Sequence, residues 1–228
     1  MRKPPRTAPR PRYRVRAGFG TILVTLFAAY AAVIGLGTTL SGPIRVLVFA
    51  VVLMIAARLR AHGGWRVRLA ATAGALSLVA SVVALAYGAS RFATGLTAAA
   101  ILLLGLAATV MMGQVLLTRP VADGQTVLGA LAVYLMLALL FAASHQLLAA
   151  VLGQPYLTGV TSASDSAAYL YYSIITLTTV GLGDIAPACS AARAATMTEA
   201  LAGQLYLVAV VGTVIGHWQS PRRRDHAS

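Results

Sequence analysis

The sequence predicts an all-α membrane protein whose chain crosses a bilayer six times and carries one further helix too short to cross. Three observations predict it. Of 228 residues, 59% are hydrophobic and 10% charged, with a mean hydropathy of +0.81, whereas a soluble domain carries about 25% charged residues. The apolar residues fall into six runs, five of them at or above the roughly 20 residues that a helix needs to span a hydrocarbon core about 30 Å thick and the second shorter. Between the fifth and sixth runs lies a short apolar stretch interrupted by closely spaced glycines, which continues no helix.

The elements follow in order. Residues 1–17 hold Arg2, Lys3, Arg6, Arg10, Arg12, Arg14 and Arg16 among four prolines, a composition that buries no core and reads as a disordered basic tail. The run from Gly18 to Leu40 exceeds the h-region of a signal peptide and is the first spanning helix. A second run follows the Ser41-Gly42-Pro43 turn and extends to Ala57. The third runs from Val67 to Gly88 and the fourth from Gly95 to Leu117, completing a four-helix transmembrane domain over residues 18–125. Arg119, Pro120, Asp123 and Gly124 break the pattern before the fifth run, Thr126 to Leu152. Ala191 to Trp218 is the sixth, and residues 219–228 form a second basic tail with Arg222, Arg223 and Arg224.

Lysine and arginine mark cytoplasmic loops. With both termini inside, 15 of the 18 basic residues are cytoplasmic, and only Arg45, Arg91 and Arg193 are outside. This places the segment between the fifth and sixth runs on the outer side. The basic segments then lie where they meet anionic lipid headgroups, and their position beside apolar runs, without interleaved aromatics, argues against nucleic acid.

In that outer segment, residues 153–165 form a connection, Asp165-Ser166 supplies a helix N-cap, and a helix runs from Ala167 to Leu177. Thr178-Thr179-Val180-Gly181-Leu182-Gly183-Asp184 follows, then Ile185-Ala186-Pro187, after which the chain must return outward. The segment is therefore a re-entrant hairpin, and extended backbone at membrane depth survives only when buried in protein or lining a watery cavity. Glycines 181 and 183 alternate with Val180 and Leu182. Glycine takes left-handed conformations without steric cost, and alternating handedness turns successive carbonyls the same way. Carbonyls of Thr179, Val180, Gly181 and Leu182, with the Thr179 hydroxyl innermost, would replace the hydration shell of a cation. The short helix aims its negative C-terminal end at the same place.

Thr178 to Asp184, read TTVGLGD, resembles the selectivity filter of potassium channels, usually TxGYGD. Tyr171-Tyr172-Ser173 before it, Pro187 after it and the sixth-run string Glu199-Ala200-Leu201-Ala202-Gly203-Gln204-Leu205-Tyr206 resemble the same family, in a bacterial six-helix branch of its two-helix-pore channels. The resemblance covers residues 126–218. It implies a pore domain of outer helix, pore helix, selectivity filter and inner helix, tetrameric around a central pore, conducting potassium passively. Thr179, Val180, Gly181, Leu182 and Gly183 would coordinate potassium, with Thr178, Asp184, Tyr172 and Glu199 as filter support and outer mouth. Gly203 matches the family's gating hinge. Leu182 departs from the usual tyrosine, which bears on filter stability and leaves a weakly selective cation channel as an alternative. A nonconducting scaffold or regulatory subunit is another. Because the chain holds one filter motif, four copies are needed to close each oxygen ring.

Other residues carry weaker signals. Asp184 either rings the outer mouth or hydrogen-bonds behind the filter. Glu199, well inside the sixth run, demands a role: a hydrogen bond to the pore helix, with Thr176 or Tyr172 as partner, or a proton-sensitive gate. His145 and Gln146 read as a packed hydrogen-bonding pair. The fourth run has no arginine or lysine, so strong voltage sensing is not expected; the first four helices read as a scaffold packed through small residues or as a lipid or ligand sensor. No catalytic constellation occurs, so an enzyme is not expected. Cys189 is the single cysteine, and neither a cofactor nor any metal site beyond permeating potassium is expected. The alanine, arginine and glycine bias points to a bacterial plasma membrane.

Overall fold

The computed structural model describes residues 19–35, 90–117, 124–153 and 155–218, with isolated positions between 47 and 86. Among the described residues the order is α1 (Phe19–Gly35), α2 (Arg91–Leu117), α3 (Gly124–Leu152), β1 (Leu157–Thr158), α4 (Ser166–Leu177), β2 (Ala186–Pro187) and α5 (Ser190–Trp218). The second and third runs and both basic tails lie largely outside the described residues; the positions described between 47 and 86 are helical.

Helix α2 starts at Arg91, upstream of the expected Gly95, because Ser90 caps it: its Oγ accepts from the Ala93 amide at 3.2 Å and its carbonyl from the Thr94 amide at 3.0 Å. A serine at this position satisfies amides that the first turn leaves unpaired. Helices α2 and α3 have the length and hydropathy to cross a membrane, and the 29 residues of α5 extend about 43 Å at 1.5 Å each.

Helix α3 is the centre of the packing. Helices α1, α2, α4 and α5 all pack against it, while α4 also contacts α5 and touches α1. The buried residues recur at helical spacing: Phe19, Ile22 and Leu26 on α1, Ile101, Leu104, Ala108 and Met112 on α2, and Ala132, Met136, Leu139 and Ala143 on α3, as an amphipathic or lipid-exposed helix requires of its packed face. In lipid, apolar burial offers little gain between helices, so close approach of small residues matters more. Gly129 is such a point: a Cβ there would lie 2.6 Å from Leu116 Cδ2 and 2.8 Å from Phe19 Cδ1, where α1, α2 and α3 meet. Leu103, Leu106, Val110 and Leu117 on α2 face outward, in keeping with a lipid boundary.

Strands β1 and β2 form a two-residue antiparallel ladder, Leu157 opposite Pro187 and Thr158 opposite Ala186. Though small, it joins the connection after α3 to the chain between α4 and α5.

Candidate functional site

The site is built from the C-terminal end of α4. Asp165 caps the start of this helix, its Oδ1 accepting from the Ala168 amide at 3.1 Å, as its sequence position predicts. The helix ends at Leu177, and its last carbonyls then hold the following segment. The Thr178 amide donates to Ile174 O at 3.0 Å, Thr179 to Thr176 O at 3.0 Å, and Val180 and Gly181 both to Ile175 O at 2.8 and 3.0 Å. The Thr178 hydroxyl adds a bond to Ile174 O at 2.6 Å. Four consecutive amides are thus satisfied from one side.

With their amides tied back, the carbonyls depend on backbone handedness. Gly181 and Gly183 have φ of 54° and 81°, and Thr179 has φ of 61°. The left-handed positions therefore alternate over 179, 181 and 183. The sequence points to the two glycines; it gives no sign of Thr179, because a β-branched residue at positive φ is costly and held only by its surroundings. The two amide bonds to Ile175 O immediately after it supply that restraint. Val180 and Leu182, the alternating partners, are 58% and 65% exposed, and Leu182 presents no polar group with which to brace the segment.

Asp184 follows the segment and is exposed, with its Oδ2 accepting from the Tyr171 hydroxyl at 2.9 Å. Tyr171 is thus a functional candidate that the sequence reading quoted only as part of a motif. Tyr172, one residue on, is buried against α5. The Thr196 hydroxyl spends its hydrogen on Ala192 O at 2.8 Å, so Tyr172 is the donor in its 2.6 Å bond to Thr196 Oγ1.

Glu199 is fully buried and its partner differs from both residues expected. Its Oε2 lies 2.9 Å from His145 Nε2, while Tyr172 reaches Thr196. His145 Nδ1 lies 2.9 Å from the Tyr156 hydroxyl, and the imidazole meets the Tyr172 ring edge-on at 5.2 Å. Ser173 on α4 also interacts with the carboxylate, although Ser173 Oγ and Glu199 Oε1 complete no hydrogen bond. The antiparallel course of α3 and α5 decides this pairing: in a medium without water, two ionisable groups at one depth are stabilised by each other. Burial first, then nearby Cys189, Tyr172, Tyr169 and Glu199, hold the Tyr156 phenol above the ordinary tyrosine range, so it remains a neutral hydroxyl. Gln146 does not pair with His145; its Nε2 donates to Ala163 O at 3.2 Å and Ser166 Oγ at 3.1 Å, pinning the connection before α4.

Gly203, expected as a hinge, sits in an unbroken α5 against the end of α4. A Cβ there would lie 2.5 Å from Leu177 O and 2.9 Å from Leu177 Cδ1. The same carbonyl accepts from the Tyr134 hydroxyl at 2.9 Å, and Tyr134 stacks on Tyr206 with ring centroids 5.7 Å apart. The glycine is thus required by close approach of α5 to the end of α4, a contact that spacing along the chain does not disclose.

The site is thus a short helix ending in an alternating-handed segment, flanked by two long helices. The family model for ion channels matches residues 129–218. Residues 129–218 are thus similar to an ion channel domain. The match begins within α3 and ends with α5, so the matched segment contains every residue of the site. No curated protein and no solved structure matches the chain. Together with the two long apolar helices, this similarity supports a membrane location, and the activity it supports is passive ion conduction. The ion channel family is not a family of enzymes. Among the described residues no cluster of three or more His, Cys, Asp or Glu could hold a metal ion.

Proposed function

We propose that the chain forms a homotetrameric potassium-selective channel, with residues 178–184 as its filter and conduction passive down the potassium gradient. The observation that carries this reading is the alternation of positive φ at Thr179, Gly181 and Gly183 above amides tied back to α4. In that arrangement the carbonyls of Thr179, Val180, Gly181 and Leu182 are free to replace water around a cation. Four copies would close each ring of oxygens.

An exposed stripe supports assembly about an axis. Met197, Leu201, Leu205 and Val208 on α5 recur every three or four residues and, with Val180 and Leu182, are each 58–70% exposed. Part of this face would meet neighbouring copies and part would line the pore. Asp184 at the outer end would present four carboxylates, each steadied by Tyr171, and concentrate cations. Thr178, Tyr172 and Glu199 support the filter from behind. The basic segments face the cytoplasm with both termini and touch anionic headgroups, in a cell membrane of the bacterial type. No strong voltage dependence is expected, because α2 carries a single basic residue, Arg91, at its start, where several moving charges are needed.

The bare side chain of Leu182 favours one second reading, a cation channel of weaker selectivity. The test is ion flux through purified protein in liposomes under potassium and sodium gradients, with Gly181→Ala as control. At φ 54° an alanine incurs roughly 1–2 kcal/mol of steric cost, multiplied over four copies at one ring. Potassium flux well above sodium flux, abolished by the substitution, is the expected result. Equal sodium flux would favour the second reading, and no flux at all would point to a nonconducting scaffold or regulatory subunit.

A further inference from the structure

Resting on the channel reading, we propose that Glu199, His145 and Tyr156 form a buried strut that positions the outer end of the filter, in place of the brace that Leu182 cannot provide. The strut runs through three elements. Glu199 on α5 bonds His145 on α3, and His145 bonds Tyr156 in the connection that enters β1. All three side chains are buried to 3% exposure or less.

From Tyr156 onward the chain is matched residue for residue against the segment leaving the filter. The Tyr156 carbonyl accepts from the Ala188 amide at 3.0 Å. Leu157 pairs with Pro187 in the ladder. The Thr158 hydroxyl accepts from the Ala186 amide and donates to the Ala186 carbonyl, both at 3.1 Å. Gly159, at φ 80°, comes so close to the exit that a Cβ would lie 2.9 Å from Asp184 O. The exit segment is therefore held by residues 156–159; Tyr156 and Leu157 are the buried side chains among them, and Tyr156 is the one hydrogen-bonded to the His145 ring.

The chemistry suits an anchor. A carboxylate and an imidazole in an apolar setting are stable only as a matched pair, and removing one partner leaves the other buried and unpaired. With Glu199 ionised, Nε2 carries a proton. Tyr156 then donates to the neutral ring or accepts from the imidazolium, so the chain of bonds survives either state. Hydrogen bonds in such a sequence act as a unit more than as separate pairs. The residues position the filter and touch no permeating ion, so they are positioning residues.

The test uses the full chain in liposomes and follows the decay of potassium-selective flux at low and high external potassium. Tyr156→Phe removes one hydroxyl and keeps the ring. Thr158→Val removes the exposed side-chain bonds by which residues 156–159 hold Ala186 and keeps the two-residue ladder. Each should speed the decay at low potassium about tenfold, equivalent to 1.4 kcal/mol. High potassium should restore the wild-type time course, since ions that occupy the conducting filter shift the population toward it. Glu199→Gln should act in the same direction, and Glu199→Gln with Tyr156→Phe should decay no faster than the faster single variant. Tyr30→Phe, which removes a hydroxyl bonded to Leu135 O on the far side of α3, should decay as wild type. Unchanged decay in both Tyr156→Phe and Thr158→Val while the wild type conducts overturns the strut and leaves the channel reading standing. A loss of assembled protein that potassium does not restore also overturns it, by assigning these bonds to folding alone. Absence of potassium-selective flux in the wild type overturns the channel reading and the strut with it.

Discussion

Gly203→Ala separates two roles that a glycine in an inner helix can serve. If Gly203 were only a bending point, alanine would favour the straight helix by about 1 kcal/mol and the protein would be as stable or more so. The packing says otherwise. The new Cβ would lie 2.5 Å from Leu177 O and 2.9 Å from Leu177 Cδ1, and the nearer atom is backbone at the end of α4, so rotating a side chain does not relieve it. The carbonyl is also held by the Tyr134 hydroxyl at 2.9 Å. Either α5 or the end of α4 must move by several tenths of an ångström, an overpacking that costs up to about 3 kcal/mol. Less the helix-propensity gain of about 1 kcal/mol, about 2 kcal/mol is lost. For a chain of this length that lowers the unfolding midpoint by about 4–8 °C. The assay is the temperature at which the purified protein leaves its monodisperse peak, with Gly113→Ala as control, since nothing lies within 4 Å of a Cβ at Gly113. A midpoint for Gly203→Ala equal to or above wild type would refute the packing argument and return Gly203 to a hinge.

Two further outcomes follow from the bonds around α4. Asp165→Ala removes the side chain that caps the helix through the Ala168 amide; the expected loss of about 1 kcal/mol lowers the unfolding midpoint by about 2–4 °C without changing ion selectivity, and a selectivity change in flux assays would contradict a capping role. Tyr171→Phe releases Asp184, and the loss of one exposed bond, about 1 kcal/mol, should shorten the conducting state by about fivefold with stability unchanged. An unaltered flux time course would mean that Asp184 is held by its backbone alone.

Much of this architecture is legible from residue order. Helices α3 and α5 follow from long apolar runs. The Asp165 cap and the length of α4 follow from a capping residue ahead of a short apolar stretch. The glycines at 181 and 183 mark two left-handed positions because the missing Cβ is itself the signal. The start of α2 was less legible: Ser90 caps it through one hydroxyl and one carbonyl, whereas the apolar pattern begins only later, near Gly95.

What the tertiary structure decided is which distant residues meet. His145 lies seven residues before the end of α3 and Glu199 nine after the start of α5, depths of about 11 and 14 Å. Those depths could have suggested the pair, but facing sides of two helices are set by packing and not by spacing along either one. By sequence Tyr156 belongs to a connection, since nothing local distinguishes a phenol in solvent from one that completes a buried bond. Thr179 shows the same limit from the other direction. Its own side chain disfavours positive φ, and only the amide bonds from Val180 and Gly181 to Ile175 O hold it there. The sequence by itself determined the apolar spans, the glycine alternation and the helix cap, because each depends on neighbours within one turn or one hairpin. The Glu199–His145–Tyr156 chain, the Gly203 contact and the handedness of Thr179 were decided by three dimensions, because each is stabilised by atoms that the chain brings together only when α3, α4 and α5 are packed.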